Sequence, residues 1–217
     1  MNIKVINNFL FKEDFTELSQ LILKKTQKEE INVYHNSIGT DGIKINECIE
    51  KKTLIRLYKN YHNRAIQLLT ELSPKKVGLY EYSEFHIIET GKNYKFPIHD
   101  DTPNKLLSGV IYLMPKKNVG TLFYDNKTGA NKKEINWLQN RAVFFSRTEG
   151  QSWHSYEGDK LSNRIALVYN LMTTDIKAVC KIEKKIICLQ SLDIKLIHTY
   201  IDFLRLQYKF NIIYLCF

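Results

Sequence analysis

None of the four cysteines, Cys48, Cys180, Cys188 and Cys216, belongs to a CxxC pair. That excludes a zinc knuckle and a thioredoxin-type centre and leaves scattered reduced thiols, as expected of a cytosolic protein. The first eight residues, Met1 to Asn8, contain no uninterrupted apolar stretch, so no signal-peptide core is expected. No apolar run is long enough to span a membrane, and the apolar C-terminal segment is interrupted by Asp202, Arg205 and Lys209. Low-complexity tracts and internal repeats are absent, which excludes a disordered chain or a solenoid. Acidic residues are outnumbered, 23 against 32 Lys and Arg, for a formal charge of +9. The lysines are spread along the chain in small clusters such as Lys75-Lys76 and Lys184-Lys185, and no basic stripe forms. The excess charge therefore reads as compositional, and a nucleic-acid partner is not expected.

What is present is a full apolar complement, 44% of 217 residues, enough for one integrated domain. A short strand is predicted over 3–6. Helical spacing of Phe15, Leu18, Leu21, Ile22 and the stem of Lys25 predicts a helix over about 11–28, followed by a loop over 32–46 marked by Gly39 and Gly42. A second helix is predicted over about 49–72, where Leu54, Leu57, Tyr61, Ala65, Leu68 and Leu69 share a face and Pro74 ends it. From residue 77 the texture becomes short strands: 77–82, 84–89, 96–101, 106–114, 120–124, 142–146, 153–156 and 164–171. Strands at this spacing, with turns between them and no helices, predict a barrel or a double-sheet jelly roll. A further helix is predicted over 193–210. The chain thus divides into a helical N-terminal part (1–76) packing on the sheet, a jelly-roll core (77–174) and a C-terminal helical extension (175–217). The class is mainly β with flanking α-helices.

The sharpest chemical pattern lies in that core. His99 and Asp101 are two apart on a strand, so both face the same way, whereas Asp100 faces the opposite side. His154 is on a later strand that a closed sheet can bring opposite the pair. Two imidazoles and one carboxylate on one face of an octahedral ion leave three positions open, the arrangement of non-haem Fe(II) oxygenases. His35, His62, His86 and His198 read as structural. An arginine, Arg164, follows His154 by ten positions.

With these residues in this order, the sequence resembles the 2-oxoglutarate- and Fe(II)-dependent dioxygenases, nearest in style to the prolyl-hydroxylase-like members, over roughly 85–171. The resemblance implies the double-stranded β-helix (jelly roll), with His99, Asp101 and His154 as catalytic metal ligands and Arg164 holding the C5 carboxylate of 2-oxoglutarate. An arginine suits that task through its planar two-donor fork. Tyr112 matches a strand position whose hydroxyl also reaches the cosubstrate, with Ser108 on the same face. Two positions depart from many relatives: Glu89 replaces a tyrosine, and Val119-Gly120 replaces a Gly-Gly pair.

The implied activity is hydroxylation of a small metabolite, a sugar-linked compound or a peptidyl residue, with release of succinate and CO2. Fe(II), 2-oxoglutarate and O2 are required, with ascorbate as an accessory reductant. Asp101 occupies the place a halide would need, which argues against halogenation. Asn170 stands where base-repairing relatives carry a second arginine, which argues against nucleic-acid demethylation. Lys105, Arg147 and Trp153 are the candidate substrate contacts. Similar openings of the form HxDxPxKxLS occur in bacterial and phage gene clusters, implying a cytoplasmic protein of that origin with no membrane partner. The alternative is a cupin-like metal-binding isomerase or binding protein on the same scaffold. Substrate identity and oligomeric state are open.

Overall fold

A computed structural model describes residues 2–183 apart from Lys25 and Glu47. Two antiparallel sheets face each other in a jelly roll. The larger runs β1 (Ile3–Ile6), β10 (Ala142–Phe145), β7 (Lys105–Met114), β12 (Arg164–Met172), β5 (Tyr82–Thr90), then β3 (Ser37–Gly39) and β4 (Gly42–Lys44); β2 (Ile31–Tyr34) also pairs with β5. The smaller runs β6 (Lys95–His99), β11 (His154–Glu157), β8 (Thr121–Phe123) and β9 (Lys133–Ile135).

Helix α2 (Lys51–Leu72) covers the outer face of the larger sheet. Leu54, Leu57, Ala65 and Leu69 are fully buried there against Phe85, Ile87, Leu107, Ile111, Leu167 and Tyr169. Each leucine buried in this way contributes about 1.5–3 kcal/mol. Its Tyr61 hydroxyl donates to Asp14 Oδ2 at 2.6 Å and accepts the Phe11 N–H at 2.7 Å, locking α2 to α1 (Lys12–Ser19). The inner faces of the two sheets meet in a second cluster of Tyr112, Phe123, Ile135, Val143 and Phe145. Gly120 is required at the turn into β8, because a Cβ there would lie 1.8 Å from the Ile135 carbonyl oxygen.

Several expectations need correction. The first helix stops at Ser19 because the chain beyond it serves a loop. Lys28 and Glu30 carbonyls accept N–H groups from Asn93 and Gly91, and the Thr26 hydroxyl donates to Glu89. Ile22, expected on the buried face, is 98% exposed. The expected loop over 32–46 instead holds most of β2 and the β3–β4 hairpin, so the N-terminal part supplies strands as well as helices. Residues 74–79, predicted within a strand from 77, form a 3-10 turn that starts on Pro74. Strand β9 was not anticipated, while helix α3 (Ile176–Ile182) lies within the stretch expected as a helical extension. The helix expected over 193–210 lies outside the described residues, as do His198, Cys188 and Cys216. Cys48 and Cys180 are both unpaired. Among the described residues, no helix is long and apolar enough to cross a membrane.

Candidate metal centre

Strands β6 and β11 are neighbours with His99 directly opposite His154, so pairing in the smaller sheet brings together residues 55 positions apart. Their ring centroids are 4.1 Å apart. Asp101 lies just past the end of β6. One ligand atom from each of His99, Asp101 and His154 falls within 4.8 Å of the others. His99 Nδ1 lies 3.0 Å from the Pro97 carbonyl and His154 Nδ1 2.8 Å from the Ser152 carbonyl. Each Nδ1 therefore carries the proton and donates, which leaves both Nε2 lone pairs free for a metal. Burial and the neighbouring His154 hold His99 down to about 3, so it stands as neutral imidazole. Phe96, Phe123 and Phe145 pack around the two rings.

The Asp101 carboxylate is gripped at both oxygens: Lys105 Nζ donates to Oδ1 at 2.7 Å and Ser108 Oγ to Oδ2 at 2.5 Å. Burial pushes Asp101 up, but Lys105 and the two imidazoles outweigh it and hold the carboxyl well below its usual range. Asp100 points away, as its strand position requires, and takes the Gly150 N–H at 2.7 Å and the Ser152 hydroxyl.

Arg164 opens β12 on the inner face of the larger sheet, 8% exposed. Its guanidinium carbon lies 3.7 Å from the centre of the Tyr156 ring, with Trp137 and Tyr112 at 5.6 and 5.8 Å. Its Nη1 is buried and has no hydrogen-bond partner, and no carboxylate among the described residues pairs with it. A buried guanidinium with an idle donor can take an anion.

Four of the other expected site residues do other work. The Tyr112 hydroxyl donates to Thr121 Oγ1 at 2.9 Å and accepts the Thr121 N–H at 2.8 Å, so it ties β7 to β8 and is already satisfied. Ser108 and Lys105 hold Asp101, Ser108 buried and Lys105 partly exposed. Arg147 is 3% exposed; its Nε donates to the Asp101 carbonyl at 2.8 Å and its Nη1 to Glu183 at 2.5 Å. It braces the metal-ligand backbone from beneath. Trp153 is partly open, its indole donating to the Gly150 carbonyl at 3.0 Å. Sequence reasoning missed Tyr156 and Trp137, whose only signal was aromatic character, and Glu183 and Lys76, which pair at 2.7 Å and buttress Arg147.

Solved structures share this architecture. A prolyl-4-hydroxylase from Pseudomonas putida matches 79% of this chain and 92% of its own, at 13% identity and a TM-score of 0.54. The fold is that of the 2OG-Fe(II) oxygenases. A 2OG-Fe(II) oxygenase family protein from Burkholderia pseudomallei matches 78% of this chain and 84% of its own, at 13% identity and a TM-score of 0.53. A prolyl hydroxylase from Trichoplax adhaerens, solved with a peptide fragment of the hypoxia inducible factor oxygen degradation domain, matches 82% and 86%, at 16% identity and a TM-score of 0.53. No protein-family model matches the sequence, and no curated protein does. The oxygenase fold thus rests on shape, and the candidate metal centre on this chain's own side chains.

Proposed function

We propose that this protein is an Fe(II)- and 2-oxoglutarate-dependent oxygenase that hydroxylates a small metabolite, a sugar-linked compound or a peptidyl residue. The observation that carries the reading is the pairing of two features on facing walls: three convergent ligand atoms from His99, Asp101 and His154, and the buried, unpartnered Nη1 of Arg164. Imidazole and carboxylate suit Fe(II), and three protein ligands leave room for a cosubstrate.

His99, Asp101 and His154 hold the metal. Bound Fe(II) supplies dioxygen activation coupled to the oxidative decarboxylation of 2-oxoglutarate to succinate and CO2. Arg164 takes the distal carboxylate of 2-oxoglutarate as a two-donor clamp and so fixes which way the cosubstrate lies. The Tyr156 ring holds the guanidinium in its plane. The Pro97 and Ser152 carbonyls fix the tautomers of the two histidines, and Lys105 with Ser108 fixes the Asp101 rotamer. Phe96, Phe123 and Phe145 limit water around the imidazoles. Trp153, next to His154 and partly exposed, stands where a substrate enters.

The test is turnover without a substrate. Protein loaded with Fe(II) in air should slowly convert 2-oxoglutarate to succinate with matching CO2 release. His99→Ala and His154→Ala should abolish both. Succinate formation at the wild-type rate in either variant removes the triad from the reaction.

A further inference from the structure

The inner face of the larger sheet carries a second polar group that the proposed chemistry does not use. Arg164, Ala166, Val168 and Asn170 alternate along β12 and face the same way. Asn170 is six positions from Arg164, ~20 Å along the strand at ~3.3 Å per residue. Across the sheet it sits in register with Ser108 on β7 and Glu84 on β5. Ser108 bonds Asp101, so this row, Ser108–Asn170–Glu84, flanks the candidate metal centre on the side away from Arg164.

Glu84 is held in place by neutral donors. Asn170 Nδ2 donates to Glu84 Oε2 at 3.0 Å, and His86 Nε2 lies 3.1 Å from the same oxygen. His86 Nδ1 accepts the Asn36 N–H at 3.3 Å, so the His86 proton is on Nε2 and the ring is a neutral donor. Burial pushes the Glu84 carboxyl up, but the hydrogen bonds from His86 and Asn170 and the nearby Lys105 outweigh it and hold the carboxyl below its usual range. The nearest full cation, Lys105, is bonded to Asp101 instead. Glu84 Oε1 takes no hydrogen bond among the described residues. Giving Nδ2 to Glu84 turns the Asn170 amide oxygen the other way. That oxygen, on a residue 1% exposed, is buried without any donor. An amide flip does not relieve this, because it would set oxygen against the Glu84 carboxylate. Two acceptors are therefore held in one row of the sheet: a carboxylate oxygen without a donor among the described residues, and a buried amide oxygen whose missing donor is costly.

We propose that Glu84 and Asn170 form the substrate-recognition site of the oxygenase, and that they take a substrate nitrogen bearing hydrogens, which Glu84 Oε1 and Asn170 Oδ1 accept in hydrogen bonds beside the metal. This rests on the function proposed above and names the class of group the substrate presents. A substrate presenting a carboxylate or phosphate at this point is disfavoured by Glu84.

Three probes with a three-carbon chain separate the cases: propylammonium, propionamide and propionate. Each is titrated anaerobically into protein loaded with Mn(II) and saturating 2-oxoglutarate, and proximity to the metal is read as enhanced proton relaxation of the probe. Propylammonium and propionamide should bind and propionate should not, and Glu84→Gln should weaken propylammonium by about tenfold, the value of one hydrogen bond to a charged acceptor. Asn170→Leu, which removes the idle oxygen without adding charge, should weaken both nitrogen probes. Equal binding of all three probes, binding of none, or full binding in both variants overturns the proposal, and leaves a bound water as the partner of Asn170. Fe(II)–2-oxoglutarate absorbance recorded on the same proteins separates the two failures. Absorbance without probe binding refutes this site alone, and no absorbance refutes the oxygenase reading beneath it.

Discussion

Replacing Arg164 by methionine should have two effects of opposite sign. In the ligand-free protein the guanidinium is buried, and burial alone pushes it down. A buried charge with no counter-ion costs several kcal/mol, and stacking on Tyr156 returns only about 2 kcal/mol of that. Methionine has similar reach and no charge, so Arg164→Met should raise the stability of the ligand-free protein by at least ~1 kcal/mol, or about 2–4 °C in Tm for a chain of this size. Affinity for 2-oxoglutarate should collapse. A two-pronged guanidinium–carboxylate contact contributes two charged hydrogen bonds at about 1.5–3 kcal/mol each, so the dissociation constant should rise on the order of 10²–10⁴-fold. Thermal unfolding with and without 2-oxoglutarate, using Mn(II) in place of iron, reads both effects. At a hundred times its dissociation constant, the cosubstrate should stabilise wild type by about 2.7 kcal/mol and leave Arg164→Met unmoved. An equal cosubstrate-induced shift in the two proteins would refute the assignment of Arg164. A lower Tm for the ligand-free variant would refute the claim that its charge is uncompensated.

Tyr61→Phe removes the hydroxyl that serves both Asp14 and the Phe11 N–H, and should destabilise the fold by about 1–3 kcal/mol in urea without changing metal affinity. Metal-free protein should be acid-sensitive. Because folded His99 is held near 3 while the unfolded chain takes up a proton near 6.5, stability is full above about pH 6.5 and falls as pH drops toward 3. Urea midpoints at pH 7.5 and pH 5 check this, and equal midpoints would contradict it.

The parts of the fold legible in the sequence are those with strong periodicity. Helix α2 and strands β5, β7, β10 and β12 were readable because apolar residues recur along them. The candidate metal cluster was legible because HxD on a strand fixes a common face, and Arg164 stood out because it follows His154 by ten positions. Elements stabilised by distant partners were not legible. The helical spacing runs on to about residue 28, yet the Lys28 and Glu30 carbonyls are taken by the 91–93 loop. Strand β9 has two exposed residues and one buried, too few to show alternation. The duties of Lys105, Ser108 and Arg147 depend on where Asp101 arrives in three dimensions, which a sequence pattern does not encode. Tyr112 shows the same limit: its position matches a cosubstrate contact in the family it resembles, but the packing of the smaller sheet on the larger sets its hydroxyl against Thr121.

The proposed activity requires that Asp101, His99 and His154 hold iron in a form that 2-oxoglutarate chelates. Anaerobic titration of Fe(II)-loaded protein with 2-oxoglutarate tests that directly, through the weak visible charge-transfer band that chelation produces. The band should appear in wild type and be lost or displaced in Asp101→Ala. Iron bound with no band in wild type would contradict the oxygenase reading and favour a cupin-like metal site on the same fold.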